Sequence, residues 1–155
     1  MNYKWIFLSF FLIITLTKGY AQERAKHSYS TAVGIKFYPE SLTLKHFMGN
    51  HSAVEVQSYF WKGTRLVGLY EKYTAITDMK AMTWYVGAGA HISMYDRNSY
   101  EGKSFLGADG IVGIDYKIKN VPINLSLDWQ PSIEFGGGVG FAGNWGGLGI
   151  RYILE

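Results

Sequence analysis

One segment of the chain, Ile123–Phe135, alternates between apolar and polar residues without a break. Its odd-numbered positions carry Ile, Leu, Trp, Pro or Phe, and its even-numbered positions carry Asn, Ser, Asp, Gln or Glu. Successive side chains of a β-strand point to opposite faces, so this pattern predicts a strand with one apolar face and one polar face. The segment is longer than a typical globular strand and reaches the roughly 9–11 residues that cross a bilayer at a tilt. It therefore predicts a membrane β-barrel.

The N-terminal segment has the features of a secretory signal peptide. Lys4 supplies a positive start, Trp5–Leu16 is an almost unbroken apolar stretch, and Gly19-Tyr20-Ala21 places small residues at the −3 and −1 positions of a cleavage site. We expect residues 1–21 to be removed and residues 22–155 to form one barrel domain. An uncleaved membrane anchor is the alternative.

Charge and cysteine content exclude several classes of function. The formal net charge is +3, but Lys4 and Lys18 lie in the signal segment and no basic cluster remains, so we expect no nucleic-acid partner. The chain has no cysteine, which excludes disulfides and thiolate metal sites. Its 19 glycines and 17% aromatic residues favour a narrow barrel with aromatic belts.

Turn-forming residues divide the chain into eight extended segments, an even number as single-chain bacterial barrels require. These segments are Tyr29–Tyr38, Leu42–Met48, Ala53–Trp61, Arg65–Tyr73, Thr83–Met94, Phe105–Ile118, Ile123–Phe135 and Trp145–Leu154. The fold class predicted is all-β, an eight-stranded antiparallel transmembrane up-and-down β-barrel. At Pro131, which cannot donate to a sheet, we expect a β-bulge or a strand that has already left the membrane.

The apolar faces of the last four segments carry no charge, as expected for faces that meet lipid. Segments one and three fit more loosely, with Val33, Ile35, Val54 and Val56 facing outward, and the phases of segments two and four stay open. A soluble lipocalin-like barrel has the same period with the opposite polarity. Small polar residues on the inner phase and aromatic residues at the strand ends favour the membrane alternative.

Four stretches resemble the small eight-stranded outer-membrane barrels of Gram-negative bacteria. They are G-L-Y-E at Gly68–Glu71, W-Y-V-G-A-G-A-H at Trp84–His91, N-L-S-L-D-W at Asn124–Trp129 and G-I-R-Y at Gly149–Tyr152. The resemblance implies a porin-like barrel that contacts outer-membrane lipids and lipopolysaccharide and is inserted by the barrel-assembly machinery through its last strand. Such barrels end in a lipid-facing aromatic residue, whereas this chain ends with Leu154 and Glu155.

The polar phase carries eight charged residues that we predict to form a lumen charge network, with Arg151 and Asp128 as the first expected pair. The eight residues are Lys36, Glu55, Asp109, Asp115, Lys117, Asp128, Glu134 and Arg151. An eight-stranded barrel is just wide enough for its own side chains, so we expect these charges to fill the lumen.

His91-Ile92-Ser93 is a weak alternative site. A histidine and a serine two positions apart on a strand share a face, as a base and a nucleophile must, and the triplet resembles the H-x-S of outer-membrane lipid A deacylases. Those enzymes present the pair to lipid and follow it with Asn. Here Met94 follows, and the strand phase directs the pair into the lumen.

Other motifs predict no cofactor and no metal. Gly138–Gly143 matches G-x-G-x-x-G but is followed by a strand, and His46 and His51 have no ligand partner at a suitable spacing. The function predicted is a monomeric, non-enzymatic outer-membrane barrel with a structural role or surface contacts through its loops. Its loops are expected at Pro39–Ser41, Lys62–Thr64, Tyr95–Ser104 and Gly136–Asn144. A lipid-modifying enzyme and a narrow channel for small apolar solutes are the alternatives.

Overall fold

A computed structural model describes residues 29–60, 63–76, 79, 81–95, 103–136 and 140–154. The predicted signal peptide, residues 96–102 of the first longer loop and residues 137–139 of the second lie outside these ranges. Within them the chain forms ten β-strands. These are β1 Thr31–Phe37, β2 Ser41–Phe47, β3 Ser52–Tyr59, β4 Gly63–Ala75, β5 Met82–Tyr95, β6 Ser104–Lys117, β7 Ile123–Trp129, β8 Ser132–Glu134, β9 Phe141–Ala142 and β10 Gly146–Ile153. The described residues contain no helix that is long and apolar enough to cross a membrane.

The strands close into a ring in which every neighbour is antiparallel. Consecutive strands pair from β1 to β7, and β10 pairs with both β7 and β1. β7 and β8 are two parts of one wall strand because both pair with β6, and β9 adds a short hairpin to β8. The predicted eight-stranded antiparallel β-barrel is therefore confirmed.

Pro131 interrupts its strand without a bulge in the ladder to β6, so the first alternative expected here, a β-bulge at the proline, is wrong for this strand. The second alternative, a strand that has already left the membrane, stays a prediction. Trp129 pairs with Val112 and Ser132 pairs with Asp109, which is the same register on both sides of the proline. Gly110 N donates to Pro131 O at 2.9 Å, while the proline lacks the N–H that would return the bond.

The extra residue lies in the opposing strand instead. Three residue steps separate Trp129 from Ser132, but four separate their partners Gly146 and Ala142. The chain between β9 and β10 therefore bulges, and β10 ends its pairing with β7 one residue before Gln130.

The register fixes the tilt of the strands. A path that starts at Tyr116 and crosses one strand pair at a time returns to β6 at Leu106, ten residues before its starting point in the sequence. The path runs through Leu125, Ile150, Ile35, Leu42, Ser58, Leu66 and Ile92. For eight strands a stagger of ten residues corresponds to a tilt of about 40°.

The barrel has one level end and one slanted end. Along this path, each step from one strand to its neighbour moves the position toward the end of the barrel that contains Leu106 by ten-eighths of a residue, measured along the strands. On this scale the strands end within about two residues of one another at the end with Tyr29 and Leu154, here called the termini end. At the other end, the loop end, β4, β5 and β6 extend about five residues beyond β10, β1 and β2. We call β4, β5, β6 and β8 the tall wall, and β10, β1 and β2 the short wall.

The structure assigns a phase to the two strands that the sequence left open. In β2 the buried residues are Ser41, Thr43 and Lys45, while Leu42 and Leu44 are exposed. In β4 the inward positions mix charged ends with an apolar middle: Arg65, Val67, Leu69 and Glu71 are all buried. The outward phases predicted for segments one and three hold, since Val33, Ile35 and Val56 are exposed.

Glycines stand opposite large inward side chains across the strands. Gly34 pairs with Arg151, Gly149 with Lys36, Gly107 with His91 and Gly113 with Tyr85. A Cβ atom at Gly113 would lie 2.7 Å from both Tyr85 Cζ and Asp128 Cβ. These glycines therefore provide the room in which the lumen side chains are packed.

We predict that Gly113→Ala destabilises the barrel by about 1–3 kcal/mol, because the added methyl overpacks the lumen. Gly110→Ala on the same strand is the matched control, since its Cβ would meet nothing closer than Pro131 Cγ at 3.8 Å. Urea unfolding in detergent micelles measures both. Equal unfolding midpoints for the two variants would contradict the packing role assigned to Gly113.

Candidate functional site

The lumen is filled by three layers of side chains. At the termini end four aromatic rings pack in sequence: Tyr29 on Phe47, Phe47 on Tyr73 and Tyr73 on Tyr85, with centroid separations of 5.1, 4.9 and 4.9 Å. Above this aromatic floor lies an ionic layer, and a second polar cluster lies at the loop end. Alternation along the strands directs all three inward.

Glu55 is the centre of the ionic layer. Its Oε1 atom accepts hydrogen bonds from Arg151 Nη2 at 2.7 Å and from Gln57 Nε2 at 2.9 Å. Its Oε2 atom pairs with Lys45 Nζ at 2.8 Å, and Lys45 also pairs with Glu71 at 3.0 Å. These four charged residues come from β3, β10, β2 and β4, and each is fully buried. Such burial is tolerated because every charge has a partner of opposite sign.

The expected pair of Arg151 with Asp128 does not form. Arg151 lies opposite Asn124 on β7, whereas Asp128 lies opposite Gly147, four residues further along that strand. This offset is about 13 Å. Asp128 instead accepts a hydrogen bond from Lys36 Nζ at 2.7 Å.

The other charged residues predicted for the lumen also lie on its inner wall. Asp115 is buried and accepts a hydrogen bond from Asn124. Asp109 and Glu134 are buried in the cluster at the loop end, and Lys117 is half-buried at the termini end of β6.

Three charged lumen residues were not predicted from the sequence: the cations Lys45 and Arg65 and the acid Glu71. All three lie on β2 or β4, the strands whose phase was left open. The signal for Lys45 was the series Ser41, Thr43, Lys45, which alternates with two leucines. On β4 no such signal exists, because Val67 and Leu69 face inward and Lys72 faces outward.

The cluster at the loop end, here called the mouth cluster, consists of Arg65, His91, Asp109 and Glu134, with the Trp145 ring packed against Arg65. Arg65 Nη2 donates to Asp109 Oδ1 at 2.7 Å, and His91 Nδ1 lies 2.5 Å from Asp109 Oδ2. His91 Nε2 lies 3.6 Å from Glu134 Oε1. The Arg65 guanidinium lies 4.1 Å from the centroid of the Trp145 ring. The tall wall thus carries a polar cluster above the rim of the short wall, and Trp145 covers its arginine.

His91 and Ser93 both belong to this part of the lumen, and each is 3% exposed. Gly107 lies opposite His91, and a Cβ atom there would collide with the imidazole ring. The two side chains face away from the outer surface of the barrel. The condition for a lipid-modifying enzyme, that this pair faces lipid, is not met.

The buried charges of the described residues are rich in acid. The six carboxylates are Glu55, Glu71, Asp109, Asp115, Asp128 and Glu134, and the four Lys or Arg side chains are Lys36, Lys45, Arg65 and Arg151. Loss of any one cation therefore increases the existing excess of buried acidic groups over buried cations. In the described ranges no group of three or more His, Asp or Glu side chains is arranged to hold a metal ion. The chemistry of this lumen is that of a charge-paired, hydrogen-bonded core.

No family model, no curated protein and no solved structure matches this chain.

We predict that Arg151→Met destabilises the barrel by about 3–5 kcal/mol, because Glu55 keeps its charge in a buried site with one cation fewer. Adding Glu55→Gln to this variant is expected to restore part of the loss. Lys119→Met, an exposed turn position, is the control and is expected to change stability by less than about 0.5 kcal/mol. Urea unfolding of the unaltered protein, the single variants Arg151→Met and Glu55→Gln, and the double variant gives the coupling energy. A double variant as unstable as the sum of its parts would argue against the pair.

We also predict that Ser93→Cys is protected from thiol reagents in the folded barrel. The chain has no cysteine of its own, so each introduced thiol is read without background. We expect Ser93→Cys to react at least about tenfold more slowly than the exposed position Lys103→Cys. Trp145→Ala should accelerate the first reaction and leave the second unchanged. Equal rates at the two positions in the unaltered background would show that the mouth cluster is open.

Proposed function

We propose that this chain is a non-enzymatic integral β-barrel protein of the outer membrane. The observation that carries the proposal is the polarity of the barrel. The outward positions of β5 from Trp84 to Met94 and of β6 from Leu106 to Tyr116 carry no charge, and most are exposed. The inward positions hold the ionic layer and the mouth cluster.

This polarity fits lipid and does not fit water. In water the barrel would leave its apolar wall exposed while it buries ten charged side chains, and both arrangements are unfavourable. In a bilayer the apolar wall is solvated by lipid, and the closed ring satisfies the backbone hydrogen bonds that an open sheet would leave unmade. The resemblance to small Gram-negative barrels and the predicted signal peptide support the same location.

The topology supports one orientation. Tyr29 and Leu154 both lie at the termini end, together with the β6–β7 turn. We place this end in the periplasm and the loop end outside, as in barrels whose longer loops are extracellular. The role proposed is structural, or contact with surface partners through the loops, in a monomer that meets lipopolysaccharide. The filled lumen favours this role over a channel.

The first experiment is the gel mobility of the protein from purified outer membranes, unboiled and boiled in SDS. A folded barrel resists SDS until it is heated, so we expect two mobilities for the same chain. Recovery of the protein as a soluble periplasmic species with one mobility would overturn the proposal in favour of a secreted barrel.

Orientation is tested with single cysteines. We expect Lys103→Cys to react with a membrane-impermeant maleimide on intact cells, because it lies at the loop end. Lys119→Cys, in the β6–β7 turn, should react only after the outer membrane is permeabilised. The reversed pattern would invert the proposed topology.

A further inference from the structure

The two walls of the barrel present apolar faces of unequal height. On β5 the outward residues from Trp84 to Met94 are all apolar. Ten residue steps along a strand tilted by about 40° span about 25 Å across the bilayer, which is the height of the apolar band of a membrane barrel. The tall wall therefore matches a bilayer of ordinary thickness.

The short wall is much lower. On β2 only Leu42 and Leu44 face outward as apolar residues, and the exposed Glu40 and His46 bound them on either side. Glu40 and His46 are six residues apart, which corresponds to about 15 Å across the bilayer. A carboxylate does not remain in hydrocarbon without a partner or water, so Glu40 sets the upper limit of the apolar face on this side.

Aromatic residues mark the same slanted boundary. Tyr38 and Phe60 are 83% and 62% exposed beside the upper rim of the short wall. The corresponding exposed rings near the tall wall are Phe135, which follows β8, and Phe141 on β9, the strand that pairs with β8. Aromatic girdles lie at the membrane interface, so the two pairs indicate an interface that descends from the tall wall to the short wall.

We propose that the barrel thins the outer leaflet beside β1 and β2. This inference rests on the proposed function, since it requires the barrel to span a membrane. The strands end at the same level on the periplasmic side, so the smaller height of the short wall, compared with the tall wall, lies entirely on the outer side. Tilting a rigid barrel would redistribute the deficit between the leaflets but would not lengthen the short wall, so the lipid adapts to it.

An apolar groove lies at the upper edge of the short wall and fits the displaced lipid. It has a volume of about 310 Å³ and is lined by the apolar residues Ile35, Phe37, Leu42 and Phe60 together with Lys36, Glu40 and Ser41. Its occupant is an acyl chain of an outer-leaflet lipid, which bends into the groove where the leaflet is thin.

The test is the membrane depth of two spin labels in the reconstituted full barrel. Leu42→Cys labels the short wall, and Ala90→Cys labels the tall wall at a level slightly closer to the loop end. Relative collision rates with oxygen and with a water-soluble nickel complex report each depth in dioleoyl phosphatidylcholine vesicles. We expect the label at position 42 to lie at least about 5 Å shallower than the label at position 90.

Three outcomes are distinguishable. Equal depth of the two labels within hydrocarbon would overturn the thinning and leave the proposed function intact. Full exposure of both labels to the nickel complex would overturn the proposed function as well. A shallow label at position 42 with a deep label at position 90 supports the inference.

A second variant tests the role assigned to Glu40. Adding Glu40→Leu to Leu42→Cys extends the apolar face upward, so we expect the label at position 42 to move deeper. Glu40→Asp keeps the charge and should leave the depth unchanged. Unchanged depth in the leucine variant would contradict the limit placed on the short wall by this carboxylate.

Discussion

Compensation of charge inside a closed ring is the constraint on which the rest of the structure depends. Glu55 on β3 and Arg151 on β10 are 96 residues apart in the chain, yet they meet across the lumen at 2.7 Å. Only closure of the barrel brings those strands together, and only such pairs allow so many charged side chains to leave water. Lys45 extends the network to Glu71 on β4, so four strands share one set of charges. Closure and charge pairing therefore stabilise each other.

The narrowness of an eight-stranded barrel imposes a second constraint, which is volume. The lumen accommodates arginine, lysine, tyrosine and histidine side chains because glycines stand beside them, as Gly34 does for Arg151 and Gly113 for Tyr85. The high glycine content of the inner phase is thus a packing requirement.

The slanted loop end connects the lumen with the surroundings of the barrel. The tall wall raises the mouth cluster above the rim of the short wall, and Trp145 from the bulged segment before β10 covers Arg65 there. The same difference in strand length gives the outer surface an apolar face of about 25 Å on one side and about 15 Å on the other. A single feature of the register therefore shapes both the interior and the lipid-facing surface.

The sequence by itself determined the eight strands of the barrel wall and the polarity of most faces, because side-chain alternation is a local property of each strand. It did not predict the short strand β9, which lies within the loop expected at Gly136–Asn144. It placed the residues from Lys36 to Arg151 on the inner phase but assigned Arg151 the wrong partner. It left β2 and β4 open because their inward and outward positions are chemically mixed, as Val67 and Lys72 illustrate. The tertiary structure alone decided the ion pairs, the tall and short walls and the bulge opposite Pro131. All three depend on the stagger between strands, which is a property of the closed ring and of no single segment.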